Sequence, residues 1–198
     1  MPYIIAGLGN PGEEYENTRH NTGRIMIEHF RDAHDFPEWK EDKKNKALIS
    51  KEKVGKESVL IMEPNNFMNN SGKSLPAFVK NKKAAEKTVV IYDDIDLPLG
   101  TIKISWNRSS GGHNGLGSII KALKTQEFVR VRVGVSKMSA KGTAKKPKGE
   151  EAVLKFLLGE FKNDEMTEIK KIAKKVSLAL ETIINEGREK AMGEFNRV

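Results

Sequence analysis

The sequence predicts an α/β fold, a single globular domain in which a mixed β-sheet is flanked by helices. Three observations point to it. Short β-branched or apolar runs alternate with segments of helical spacing. One pair of strands is joined by a tight turn. A chain of 198 residues also matches one ordinary domain with one substantial core.

Residues 3–8 form a short apolar run ending in glycine, as a buried strand does. A polar, turn-rich loop follows over 9–21, and then Met26, Ile27 and Phe30 recur at helical spacing over 23–30. Residues 46–50 and 58–62 read as paired strands around Val54-Gly55-Lys56. A helix is expected after Ser71, burying Leu75, Phe78 and Val79. Pro76 fits it only if the helix starts near Ser74, because proline is tolerated in the first turn alone. Residues 88–92 are the clearest strand, ending at Asp93-Asp94, and 101–106 alternate as a half-exposed strand. Leu116, Ile119, Ile120 and Leu123 make a helical stripe, and 129–135 are a further strand. Residues 136–149 carry Lys137, Lys141, Lys145, Lys146 and Lys148 with no apolar periodicity and read as a basic loop. From about Asp164, a candidate N-cap, the spacing of Ile169, Ile172, Val176, Leu180 and Ile183 predicts a long C-terminal amphipathic helix. With no repeat and no linker, residues 1–198 are expected to be one domain. The polar clusters lie in loops at strand ends, where such sheets open a crevice.

Composition narrows the function. Thirty-five Lys and Arg against 27 Asp and Glu leave a net charge of +8, which attracts phosphate-rich partners or anionic surfaces, though it also serves solubility. The absence of cysteine excludes disulfides, thiolate zinc sites and a cysteine nucleophile, and it fits a reducing cytoplasm. No apolar run approaches the roughly 20 residues of a spanning helix. The N-terminus lacks the basic start and apolar stretch of a secretion signal.

Gly7-Leu8-Gly9-Asn10-Pro11-Gly12 satisfies the G-x-G-x-x-G pattern of dinucleotide sites. Its context does not. A dinucleotide loop opens directly into a helix whose N-terminus receives the pyrophosphate. Here Glu13, Glu14 and Glu16 would repel it, and no amphipathic stripe follows. The preferred reading is a tight turn that places Asn10 at a strand end. A nucleotide-dependent oxidoreductase is therefore a distant rival.

Four histidines are available for chemistry near neutral pH. His29 and His34, on or just after the first helix, suit packing or solvation. His20 lies in the irregular polar loop Thr18-Arg19-His20-Asn21, and His113 in Gly111-Gly112-His113-Asn114-Gly115 before a helix. Asp93 ends the best strand. Paired with His20, it would fix the ring tautomer and stabilise the imidazolium; alone, it is a turn-forming acid. A calcium loop over Asp93-Asp94-Ile95-Asp96-Leu97-Pro98 is disfavoured by its apolar residues and proline. Asn10, Asn69 and Asn114 sit in glycine-containing loops, where asparagine either forms turns or offers an oxyanion an uncharged donor. No G-x-S-x-G elbow supplies a serine nucleophile. A histidine base with amide donors and no nucleophile points to direct attack by activated water.

These blocks together resemble the bacterial-type peptidyl-tRNA hydrolases over roughly residues 4–161. They are Gly7–Gly12 with Tyr15, Thr18–Gly23, Pro64-Asn65-Asn66-Phe67-Met68-Asn69-Asn70-Ser71-Gly72, Asp93–Pro98, and Ser109-Ser110-Gly111-Gly112-His113-Asn114-Gly115. The resemblance implies a monomeric, cytoplasmic α/β protein with a twisted mixed sheet and no cofactor or metal. Its implied activity is hydrolysis of the ester between a peptide, or N-blocked aminoacyl group, and the tRNA 3′ ribose, recycling tRNA released prematurely from ribosomes. It further implies that His20 is the general base, that Asp93 holds it, and that Asn10 helps distinguish peptidyl-tRNA from aminoacyl-tRNA. Tyr15, Phe67, Asn69 and Asn114 are implied contacts to the tRNA end and peptide, with His113 on the substrate side. The basic residues depart from the family pattern. Ser105 stands where a base grips tRNA phosphate, so that Lys103 and Arg108 are its candidate substitutes. Glu63 replaces a lysine before Pro64, while Arg132 and Lys141 match the remaining clamp positions. The rival within this resemblance is a non-catalytic RNA-binding protein on the same scaffold, against which intact His20, Asp93, Asn10 and Asn69 argue.

Overall fold

A computed structural model describes residues 1–197. Its strands are β1 (Tyr3–Gly7), β2 (Lys40–Asp42), β3 (Ala47–Val54), β4 (Glu57–Pro64), β5 (Thr88–Pro98), β6 (Ile102–Trp106), β7 (Val129–Met138) and β8 (Ala144–Lys145). Its α-helices are α1 (Thr22–Ala33), α2 (Lys82–Glu86), α3 (Asn114–Leu123), α4 (Glu150–Leu157), α5 (Asn163–Glu186) and α6 (Arg188–Phe195). Strand order in the sheet is β2-β3-β4-β1-β5-β7-β6, with β8 paired to the end of β7. The centre is parallel (β1 with β4 and β5, β5 with β7), whereas β2, β3 and β6 join antiparallel. This is a mixed sheet with helices on both faces.

Alternation along the central strands divides the core in two. Ile5, Ile61, Val89, Ile91, Val131 and Val133 face α1, α5 and α6. Ile4, Ala6, Leu60, Met62, Val90 and Tyr92 face the opposite way, toward α2 and α3. Strands buried on both faces read as nearly continuous apolar runs, which is why residues 3–8 and 88–92 were legible. The stripe Ile169, Ile172, Val176, Leu180 and Ile183 of α5 is buried throughout.

Four expectations need correction. The helix expected after Ser71 is a 3₁₀ run, Met68–Lys73, followed by one turn in which Phe78 and Val79 donate to the Leu75 carbonyl, each at 2.9 Å. Serine hydroxyls and Pro76 break the helical ladder: Ser71 Oγ bonds the Met68 carbonyl at 2.8 Å, and Ser74 Oγ bonds Lys46 O at 2.7 Å. The α-helix comes later, as α2, capped by Asn81. Second, the basic loop over 136–149 is partly a hairpin, with Lys137 and Met138 paired to Lys145 and Ala144. A mainly lysine-bearing surface ribbon carries no apolar alternation to reveal it. Third, Lys162 rather than Asp164 occupies the N-cap position of α5, and Glu165 accepts the Lys162 N–H at 2.9 Å. Fourth, β2, α4 and α6 were not anticipated. His34 packs on Phe30, with ring centroids 4.4 Å apart. No helix among the described residues is long and apolar enough to cross a membrane.

Candidate active site

Backbone contact between β1, β5 and α1 sets the position of the first loop. A Cβ on Gly23 would lie 2.3 Å from the Ile91 carbonyl and 2.4 Å from the Leu8 nitrogen, so α1 starts directly against both strand ends. That brings residues 8–12 beside 19–22. Asn21 splints the two segments: its Oδ1 accepts the Asn10 N–H at 2.8 Å, and its Nδ2 donates to the Asn10 carbonyl at 3.0 Å. The side chain that would ordinarily cap α1 is spent on the glycine loop instead. Asn10 in turn is buried and accepts the Met68 N–H through Oδ1 at 2.8 Å, which ties the third segment to the first.

His20 lies in the 3₁₀ turn Arg19–Asn21, and Asp93 lies on β5 where that strand leaves the core. His20 Nδ1 is 3.0 and 3.1 Å from the two oxygens of Asp93. His113 Nε2 reaches Asp93 Oδ1 at 3.1 Å from the other side. His113 also caps α3, since its Nδ1 accepts the Leu116 N–H at 3.2 Å. A nitrogen that accepts cannot carry the proton, so neutral His113 is protonated at Nε2 and donates to Asp93. Asp93 therefore takes two imidazole donors, which leaves His20 Nε2 as the unprotonated nitrogen of that ring. His20 Nε2 makes no hydrogen bond among the described residues.

Electrostatics agree with this geometry. Burial pushes the Asp93 carboxyl up, but its electrostatic interaction with the His20 and His113 rings and their hydrogen bonds outweigh it and hold it well below the usual carboxylate range. Burial lowers the His20 pKa, yet the Asp93 charge and hydrogen bond reverse this and leave it above its ordinary 6.5. His20, Asp93 and His113 together offer three potential metal ligands within 4.8 Å of one another. A cation there would displace both ring protons and force the proton of His113 onto Nδ1, against the Leu116 N–H. Two opposed donors at that spot disfavour it.

The other residues singled out in the sequence occupy the loops and strands that adjoin these segments. Phe67 is exposed, and its ring meets Tyr15 edge-on at 6.3 Å. Asn69 and Asn114 are exposed at the starts of neighbouring elements, which touch where Gly115 packs on Met68. A cleft of about 330 Å³ runs from Asp93 and His113 past the 108–112 loop to Ser105 and Arg132, with Val153 and Leu157 of α4 in its wall. Lys103 and Arg132 are direct cross-strand partners, as are Ser105 and Arg130. Two of the cationic groups are already engaged by acids: Arg132 Nε with Asp94 at 2.6 Å, and Lys146 with Asp96. Arg108 is exposed, and Lys141 sits out in the hairpin turn. Glu63 is buried under Arg24, 3.3 Å away, with its pKa pushed up by burial to about 7.

Sequence reasoning assigned nothing to Asn21, Arg19 or Arg130. Each makes at least one hydrogen bond to a backbone group in another loop, a relation no local pattern encodes. Fully buried Arg130 donates to the carbonyls of Phe128 and Arg108, and so braces the loop that leads to His113.

A carboxylate-anchored histidine thus stands at the C-terminal edge of a mixed α/β sheet, among amide side chains, and comparison with known proteins places that arrangement in a family of hydrolases. Residues 4–198 match the family described as Peptidyl-tRNA hydrolase, and the chain belongs to that family. It is 39% identical over 194 residues to the peptidyl-tRNA hydrolase of Listeria welshimeri, covering 98% of this chain and 99% of the relative. It is 40% identical over 195 residues to that of Thermoanaerobacter sp., with coverage of 98% and 99%. The crystal structure of peptidyl-tRNA hydrolase from Acinetobacter baumannii superposes with a TM-score of 0.87 at 27% identity, covering 98% of this chain and 94% of that one.

Proposed function

We propose that the chain hydrolyses the ester bond between the 3′ ribose of tRNA and a peptide or N-blocked aminoacyl group, with water activated by His20. One observation carries this reading: His20 Nδ1 lies 3.0 and 3.1 Å from the two oxygens of buried Asp93, an arrangement in which a carboxylate holds the ring proton on Nδ1 and Nε2 is left to take a proton from water. The charge created on the ring is met by the buried carboxylate. Water attacks the ester carbonyl, the C–O bond to the ribose breaks, and His20 returns its proton to the departing ribose hydroxyl. No covalent intermediate forms.

On this reading the exposed amides of Asn69 and Asn114 donate to the oxyanion, and His113 completes the hold on Asp93. Asn10 is fixed through Oδ1 and backbone, which leaves its Nδ2 to read the peptide amide that aminoacyl-tRNA lacks. Tyr15 and Phe67 form an aromatic ledge for the tRNA end or the peptide. On this reading Lys103, Arg108, Arg132 and Lys141 take the acceptor-stem phosphates. Arg132 would exchange Asp94 for phosphate, so binding weakens with salt as counterions are released. The protein acts as a monomer in the cytoplasm and recycles tRNA lost prematurely from ribosomes, without a cofactor.

The test is release of a labelled N-blocked amino acid from its tRNA in the presence of chelator, comparing wild type with His20→Ala. Fast release that His20→Ala abolishes, with tRNA binding retained, supports the reading. A folded wild type that binds tRNA but releases nothing favours a binding protein instead.

A further inference from the structure

Arg19 immediately precedes His20, is buried, and has no part in the chemistry above. Its Nη2 lies 2.6 Å from Glu165 Oε2 in α5. Its Nη1 donates to the carbonyls of Gly159 at 3.1 Å and Glu160 at 2.9 Å, between α4 and α5. The guanidinium packs between two rings, with Cζ 4.5 Å from the Phe156 centroid and 5.4 Å from that of Phe161. Backbone bonds reinforce the clamp: Arg19 N–H to Gly159 O at 3.1 Å and Phe161 N–H to Asn17 O at 3.0 Å. One side chain thus ties the end of α4 and the start of α5 to the turn that carries the histidine. Helix α4 also forms part of the cleft wall through Val153 and Leu157.

A buried ion pair is a costly way to gain stability, because two charges leave water and apolar residues of similar volume often hold a fold as well. What a guanidinium adds is direction, since its planar fork fixes several acceptors at set angles. The His20 turn has only three residues of 3₁₀ structure. We propose that Arg19 is a positioning residue for the hydrolytic step: through Glu165 and the 159–160 carbonyls it sets His20 against Asp93 and couples that setting to α4. This rests on His20 being the base.

The experiment uses full-length Arg19→Lys and Glu165→Gln. For each variant, kcat and KM are measured on N-blocked aminoacyl-tRNA, the His20 imidazole is titrated by ¹⁵N NMR, and the folded fraction is determined. Lysine keeps the charge but loses the fork; glutamine keeps an acceptor for Lys162 N–H but strips the counter-charge. The expected result is a kcat lower by about 10- to 100-fold per folded molecule, the range that a small misplacement of a catalytic group produces. KM should stay within about 2-fold, the His20 titration should be displaced in both variants, and in Glu165→Gln it should move to lower pH as an uncompensated cation opposes the imidazolium. Wild-type kcat and titration in folded variants, with only thermal stability reduced, would overturn the proposal. Should wild type release nothing, the hydrolase reading fails on its own, and the NMR titration still decides whether Arg19 positions His20.

Discussion

His20 and His113 grip one carboxylate oxygen, Asp93 Oδ1, at 3.0 and 3.1 Å, with their ring centroids 5.2 Å apart. The Leu116 N–H fixes the His113 tautomer, and Asp93, held as a carboxylate, can only accept, so both rings donate to it. The arrangement leaves a single outward lone pair, on His20.

Asp93→Asn should disable that pattern without emptying the site. In the amide, Oδ1 still accepts from His113 but Nδ2 takes the place of Oδ2, 3.1 Å from His20 Nδ1, so two donors face each other there. His113 is locked, and His20 must therefore move its proton to Nε2. We predict a loss of about 10²–10⁴ in kcat, the scale seen when a base is held in the wrong tautomer. Single-turnover release on the variant checks it, and a loss under threefold would sink the tautomer argument.

Activity should fall as pH drops through the His20 pKa, whose midpoint lies above 6.5 because the Asp93 charge overcomes burial. The linked stability runs the other way for this group. A raised histidine pKa contributes stability below its unfolded value, which is lost as pH rises through the folded one. The lowered pKa of Asp93 contributes above its unfolded value and is lost as pH falls. Comparing kcat and unfolding midpoints across pH 5–9 separates the two effects. A flat kcat profile would contradict the assignment of the base.

Asn10 has two jobs that substitution can split. Asn10→Asp keeps an acceptor for the Met68 N–H, whereas Asn10→Ala leaves that buried donor unpaired at a cost of about 1–3 kcal/mol. Both remove the Nδ2 donor. Discrimination between N-blocked and free aminoacyl-tRNA should fall in both, with stability falling mainly in the alanine variant. Unchanged discrimination in Asn10→Asp would remove Asn10 from substrate recognition.

Glu63, with a pKa raised by burial to about 7, favours the folded state in its protonated form. Its contribution is therefore greatest below the unfolded pKa of 4.5 and declines as pH rises to about 7. Denaturant titrations should show wild type losing up to on the order of 3 kcal/mol across that window relative to Glu63→Gln. Parallel curves for the two proteins would mean that the Arg24 ion pair cancels the burial cost.

Gly23→Ala should be severely destabilising, because its Cβ would collide with the backbone of Leu8, just past β1, and of Ile91 in β5. The expected loss is about 3 kcal/mol or more, at the upper end for overpacking. Gly117→Ala is the control: its Cβ would find only Ser110, at 3.7 Å or farther, inside helix α3. Helix propensity should then stabilise by about 0.5–1 kcal/mol. Chemical denaturation distinguishes them, and equal effects would refute the close-approach argument.

The parts of this structure legible in the sequence are those whose partners are generic. Val89, Val90 and Ile91 need only some apolar neighbour on each face, so their run announces a central strand. Loop residues such as His20 and Asn10 were legible because polar groups beside strand ends in an α/β sheet converge. The lysine ribbon over 136–149 and the 3₁₀ run at 68–73 escaped because their bonds are made by backbone and hydroxyl groups. Such groups leave no periodicity. Arg19 and Arg130 look like surface charges in a one-dimensional reading; only the carbonyls gathered around them show otherwise.

The tie between Arg19 and Glu165 spans 146 positions along the chain. On a ribosome, β1 emerges first yet must wait for β5 before it is paired on both sides. The His20 turn waits longer still, until the segment following α4 has cleared the exit tunnel and folded back. Pairing of such long separation is slow to form and late to complete. On the reading that His20 is the base, a chain whose sheet has already formed still lacks the Glu165 partner that holds the turn beside it.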